Sequence, residues 1–154
     1  MRRLLALLTV IVAAGTACSG GGLKRDADGA VIRSGSESAF KIKVGDCTNA
    51  ELKEQTTSVN LVPCSDPHTH EAYFAVEHED GAYPGSTALE TFAEQQCVGA
   101  FPSYVGVELS ESRYYFTYLY PSVSTWNDKQ DRQVVCFVVS RDAPVTGSVK
   151  GSAQ

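Results

Sequence analysis

The chain has 154 residues, 43% of them hydrophobic and 20% charged, which fits one folded domain and argues against a disordered polar chain. Thirteen basic residues stand against eighteen acidic ones, giving a net charge of −5. That balance argues against nucleic acid as a partner, since neutralising phosphates needs a basic stripe.

Residues 1–17 read as a signal peptide. Arg2 and Arg3 form a positive start, Leu4 to Ala14 carries no charge, and Gly15-Thr16-Ala17 is a small-residue exit before Cys18. A spanning helix needs about 20 apolar residues, so the run is too short to anchor the chain by itself. Gly15-Thr16-Ala17-Cys18 resembles the lipobox of bacterial lipoproteins, in which the cysteine becomes the first mature residue and carries palmitate-type acyl chains. The sequence departs from that pattern at Gly15, where leucine is usual, and ordinary cleavage after Ala17 is the alternative, giving a secreted form. The five cysteines favour lipidation, because using Cys18 leaves an even set of four. Loss of Arg2 and Arg3 leaves eleven basic and eighteen acidic residues, a charge of −7. Such a body is held at a membrane by acyl chains rather than by charge.

Residues 18–39 are rich in Gly, Ser and charge and are expected to form a flexible tether with an r.m.s. span of about 25 Å, broken at most by a brief strand at Val31-Ile32. The folded domain is expected over 40–148, with a frayed tail from about Thr146. Phe40 to Val44 and His70 to Glu79 alternate as half-buried strands, the second with Ala72, Phe74 and Val76 on one face and Glu71, Tyr73 and Glu77 on the other. Val59 to Val62 is a short strand. After the turn at Tyr83-Pro84-Gly85, Thr87 and Glu90 fit a capping box for a helix through Leu89, Phe92, Ala93, Gln96, Cys97 and Ala100, closed by Pro102. Arg113 to Tyr120 and Gln133 to Arg141 are two more strands, joined by a loop around Asn127-Asp128-Lys129, and the nearly continuous apolar run of the second suits a central position. The expected fold class is α+β, an antiparallel β-sheet with one main packed helix.

In an exported chain Cys47, Cys64, Cys97 and Cys136 read as disulfides. Three pairings are open; Cys47–Cys64, joining two early strands, and Cys97–Cys136, pinning helix to central strand, are preferred. The second pairing turns Val134, Cys136 and Val138 toward the helix. No C-x-x-C pair supports zinc.

Val44-Gly45-Asp46-Cys47, Val62-Pro63-Cys64-Ser65-Asp66-Pro67-His68, Glu71, Tyr83-Pro84-Gly85, Tyr104-Val105-Gly106, Tyr118-Leu119-Tyr120-Pro121, Trp126, Asp131-Arg132, Val135-Cys136 and Val145-Thr146-Gly147-Ser148 together resemble the septum formation-related domain of actinobacterial envelope proteins, over roughly residues 44–151. The resemblance implies an extracytoplasmic domain on a lipoprotein or membrane anchor, associated with septum formation and cell division. It implies no enzymatic activity, cofactor or ligand.

Candidate chemistry lies in two places. His68, His70 and His78 are surrounded by Asp66, Glu71, Glu77, Glu79 and Asp80, and His68 and His70 share strand parity, so two imidazoles could meet one metal ion or small ligand. The ordinary alternative is a structural role for each. Tyr114, Phe116, Tyr118 and Tyr120 fall on one strand face, either as core or as an aromatic platform for a glycan, peptide or protein, which Trp126 extends if exposed. No nucleophile elbow, P-loop, zincin or dinucleotide motif is present, and Glu77, Glu79 and Asp80 are weak material for a glycosidase pair. The expected function is a non-catalytic interaction or scaffold module held at the extracytoplasmic face of the cell membrane through lipidated Cys18, with an envelope protein or cell-wall component as partner. A metal- or small-ligand-binding lipoprotein is the second reading, and a small wall hydrolase the third.

Overall fold

The computed structural model describes residues 22–53 and 56–154, so the stretch read as a signal peptide and Cys18 lie outside the described residues. Eight strands and two α-helices follow in the order β1 (Lys24–Arg25), β2 (Val31–Arg33), β3 (Gly35–Ser38), β4 (Cys47–Thr48), β5 (Ser58–Val62), β6 (His70–Glu77), α1 (Ser86–Val105), β7 (Tyr115–Leu119), α2 (Val123–Lys129) and β8 (Gln133–Val139). Strands β3 to β8 form one curled antiparallel sheet in the order β3-β5-β4-β6-β8-β7, and β1 and β2 form a separate hairpin. The α+β class with one main packed helix is therefore what the chain adopts.

Strand β8 runs between β6 and β7, as its apolar sequence requires of a strand covered on both faces. Its residues sort by period two. Val135 and Phe137 join Ile42, Val59, Leu61, Ala72 and Leu119 in one core. Cys136 and Val138 join Tyr73, Cys97, Phe101 and Tyr104 in a second, under α1. Both preferred disulfides are formed, Cys47–Cys64 with Cα atoms 5.3 Å apart and Cys97–Cys136 with Cα atoms 5.5 Å apart. The second crosslink fastens α1 to the central strand. Replacing Cys97 and Cys136 together by alanine is expected to cost about 2–5 kcal/mol, read as a fall in the denaturation midpoint.

Several local expectations are corrected. The alternation along β6 is interrupted by a bulge between Ala72 and Phe74, so Tyr73 is the extra residue. Ala72 pairs with Phe137 and Ala75 with Val135 on one face, whereas Glu71 pairs with Val138 and Phe74 with Cys136 on the helix face. The bulge thus puts Glu71, Tyr73 and Phe74 under α1, and Ala72 on the opposite face from Phe74. Phe40 to Val44 is not a strand: Ala39–Lys41 is a 3-10 turn capped by Ser38, and Ile42 is buried. Helix α1 starts from Gly85, at φ 94°, without a side-chain cap, because the cap position holds glycine and Thr87 lies inside the helix; Glu90 accepts from the Tyr120 hydroxyl at 2.8 Å. It also runs through Pro102 to Val105 and ends at left-handed Gly106. Burial of Phe101, Tyr104 and Val105 outweighs the single helical hydrogen bond that proline cannot donate.

The segment expected as a tether is ordered from Gly22 onward. Asp26 accepts from the Asp28 and Ala30 N–H groups and closes the β1–β2 turn. Val31 is buried, Leu23 packs on the same core, and β3 pairs with β5. Arg25 grips Asp46 with two bonds of 2.5 and 2.8 Å, and Glu37 lies 3.7 Å away. A guanidinium held by carboxylates and two buried apolar side chains offset the entropy that Gly and Ser would otherwise retain. Arg25→Ala is expected to detach the hairpin while the rest of the sheet persists, seen as proteolytic cleavage confined to residues 22–34. Gly35→Ala should do the same, since a Cβ there collides with the Leu23 backbone.

Candidate functional site

The centre of the polar chemistry is a sealed cage beneath the C-terminal segment. Glu71, placed on the helix face of β6 by its pairing with Val138, is 1% exposed. Its Oε1 accepts from the Tyr104 hydroxyl at 2.7 Å and the Ser148 hydroxyl at 2.5 Å, and its Oε2 accepts from the Val149 N–H at 2.7 Å. Three donors from α1 and the chain end converge on one carboxylate.

Facing it is His68, with no exposed surface and with Nε2 3.9 Å from Glu71 Oε2. That distance is a charge pair rather than a hydrogen bond, and Nε2 has no hydrogen-bond partner. The other nitrogen, Nδ1, donates to the Asp66 carbonyl at 2.9 Å. A neutral ring with its proton on Nδ1 would aim a lone pair at a carboxylate, so the cage favours imidazolium. Burial opposes that charge, but Glu71 and the Asp66 carbonyl outweigh it and raise the His68 pKa above its ordinary 6.5. Burial likewise opposes the Glu71 anion, and His68 with the three donors holds its pKa below the ordinary 4.5. The Tyr104 phenol is pushed up by burial and by the adjacent carboxylate.

The chain end is not frayed. Val145 exchanges two backbone bonds with His68, the Gly147 N–H reaches the Cys64 carbonyl at 2.7 Å, and the Gly151 and Ala153 N–H groups bond the Tyr104 and Val105 carbonyls. Residues 145–153 thus form a strap over the cage. The small void beside His68, Glu71, Tyr114 and Val149 leaves no space for a water molecule.

The three histidines have separate partners. His70 shares a hydrogen bond of 2.8 Å with the Thr69 hydroxyl, and burial together with the neighbouring His68 lowers its pKa. His78 packs edge-on against Phe92 and Trp126, with centroids 4.8 and 5.5 Å away. Among the described residues the group with metal-ligating spacing is Cys47, Cys64 and His68, and its two sulfurs are joined to each other. His70 is not part of it.

The aromatic strand divides between core and surface. Tyr114 is buried, and Phe116 and Tyr118 pack into the core under α1. Phe116, Tyr118 and Tyr120 follow one another at 6.2 and 6.0 Å between centroids. The exposed ring belongs to the opposite face: Tyr115, covered by the Arg141 guanidinium 3.6 Å from its centroid. Trp126 is 1% exposed and lies in α2 rather than in an open loop. Its Nε1 donates to the Gly81 carbonyl at 2.9 Å, and Arg132 lies 3.8 Å from its ring centroid.

Sequence reasoning singled out His68 and Glu71 but missed their closure by Tyr104, Ser148 and Val149. The available signal was a glutamate beside buried apolar positions of a strand, which has to find donors. The motif residues Cys47, Cys64, His68, Glu71, Tyr104 and Ser148 gather in this one region.

Taken together, the molecule is a two-disulfide α+β domain whose densest polar chemistry fastens its own C-terminus. A family model described as septum formation matches residues 44–154. The chain belongs to that family, which associates it with a septum-related role in the cell envelope. The match begins after the β1–β2 hairpin and β3, and Arg25 of the hairpin bonds Asp46 inside the matched span. No curated protein and no solved structure matches the chain. Among the described residues no helix is long and apolar enough to cross a membrane.

Proposed function

We propose that this protein is a lipid-anchored, extracytoplasmic interaction module that serves septum formation without catalysing a reaction. Membership of the septum formation family over residues 44–154 carries this reading. The two disulfides fit an oxidising compartment. Lipidation of Cys18 supplies the anchor, and its partner is an envelope protein or cell-wall component. Because residues 22–39 fold onto the domain, they do not act as a spacer between the anchor and the fold.

The absence of catalysis in this proposal is supported by the cage. His68 and Glu71 have the residue types of an acid–base pair, yet both are enclosed and engaged with the strap. Glu77 and Glu79 are exposed, and Asp80 is ion-paired with Arg132 at 2.8 Å.

A fluorescent fusion in dividing cells, combined with metabolic labelling by an alkyne palmitate, tests both halves. The expected result is enrichment at the division site, acyl label on the wild-type protein, and loss of label and of membrane retention in Cys18→Ala. Even distribution around the envelope would refute the septal role, and an unlabelled, membrane-free wild type would refute the anchor.

A further inference from the structure

Away from the cage, a pocket of about 210 Å³ opens where the 3-10 turn at Ala39–Lys41, the end of β7, α2 and the start of β8 meet. Phe40 and Leu119 supply apolar wall, Thr56 and Ser124 supply hydroxyls, and Asp131 and Gln133 supply a carboxylate and an amide. At about 30 Å³ per water, the volume holds roughly seven waters, or one sugar-sized ring.

Its electrostatics are one-sided. No lysine or arginine lines the pocket among the described residues. Arg132 adjoins Asp131 in sequence, but its guanidinium binds Asp80 and the Trp126 carbonyl and sits on the Trp126 ring. Asp131 has no guanidinium or ammonium within 4 Å among the described residues; its carboxylate accepts the Gln133 N–H at 3.1 Å and a hydrogen bond from Thr125, with the Arg132 charge farther off. Gln133 Oε1 is a buried acceptor without a partner. A half-buried carboxylate without a close ion pair, on the wall of a pocket that no lysine or arginine lines, asks for positive charge. Burial raises the Asp131 pKa despite its hydrogen bonds, and a cationic ligand would reverse that.

We propose that this pocket binds a small ammonium-bearing polyol of about one sugar ring, with the ammonium on Asp131, hydroxyls on the Ser and Thr side chains, and the ring face against Phe40 and Leu119. The site is independent of the cage and goes beyond the interaction role proposed above.

The test is an amide chemical-shift titration of the domain with D-glucosamine and, separately, D-glucose. Glucosamine is expected to shift residues 56–57, 122–125 and 131–133 with a Kd of about 1 mM, and glucose to bind at least about tenfold more weakly. Asp131→Asn should cost about tenfold for glucosamine and little for glucose. Val123→Lys, at an exposed rim position, should weaken glucosamine by a similar factor without disturbing the fold, by placing a competing ammonium at the mouth. Equal binding of the two sugars, shifts located elsewhere, or no shifts at all would each overturn the proposal, and the wild-type comparison decides it even if Asp131→Asn fails to fold.

Discussion

Replacing Glu71 by leucine is expected to destabilise the domain by about 3–5 kcal/mol, the cost of leaving several donors at a buried site without their acceptor. The substitution removes the group that favours the charged form of His68 and the acceptor for the Tyr104 and Ser148 hydroxyls and the Val149 N–H. Two readouts follow from the geometry. The strap is released, so amides of residues 145–153 lose hydrogen-exchange protection before the sheet does. His68→Leu combined with Glu71→Leu is expected to be less damaging than Glu71→Leu alone, because it removes both charges. A double variant as unstable as the sum of the singles would show that the pair is not coupled.

The same cage sets a pH dependence. The folded His68 pKa is raised, so its contribution is full below the ordinary value of 6.5 and is lost as pH rises through the folded value. The folded Glu71 pKa is lowered, so its contribution is full above 4.5 and is lost as pH falls through the folded value. The two overlap between about pH 4.5 and 6.5, where the Tm should be highest. In Glu71→Gln the maximum should flatten and the His68 resonance should titrate at lower pH. A wild-type Tm that climbs steadily from pH 6 to 8 would contradict the charged pair.

Trp126→Ala is the second large effect, expected at about 3–5 kcal/mol for a fully buried indole. The ring bridges three pieces of chain: α2, the turn whose Gly81 carbonyl it binds, and the His78–Phe92 contact at the start of α1. It also carries the Arg132 guanidinium, which in turn holds Asp80. Loss of the indole therefore removes packing, one hydrogen bond and a cation–π contact together. Trp126→Phe keeps much of the packing but loses the Gly81 bond, and should cost less than half as much. Chemical denaturation followed by circular dichroism measures both, and a Trp126→Ala loss below about 1 kcal/mol would mean that the ring is not a structural bridge.

The septum formation family was legible in the sequence, and six of its motif residues, Cys47, Cys64, His68, Glu71, Tyr104 and Ser148, meet around the cage. What those residues do was not legible, since the cage joins Glu71 to Val149, 78 positions apart in the chain. Local periodicity also misplaced Phe74. A bulge is one extra residue, and it reverses every later side chain of the strand while leaving the apolar pattern recognisable. The N-terminal hairpin was hidden for a related reason. Its composition is that of a linker, and among the described residues the contacts of Arg25 with Asp46 and Glu37 and the seats for Leu23 and Val31 hold it down.

The sequence by itself determined the antiparallel α+β class, the interior place of β8 and the even set of four cysteines, whose pairing only the fold decided. Each follows from a period, an apolar run or an even count of sulfurs, which are short-range properties. The tertiary structure alone decided that the glutamate and histidine form a sealed charge pair, that Trp126 is interior, and that the last residues form a strap. Those outcomes depend on which donors and which apolar walls meet a side chain after the chain has closed, and burial is a property of the assembled fold rather than of any segment.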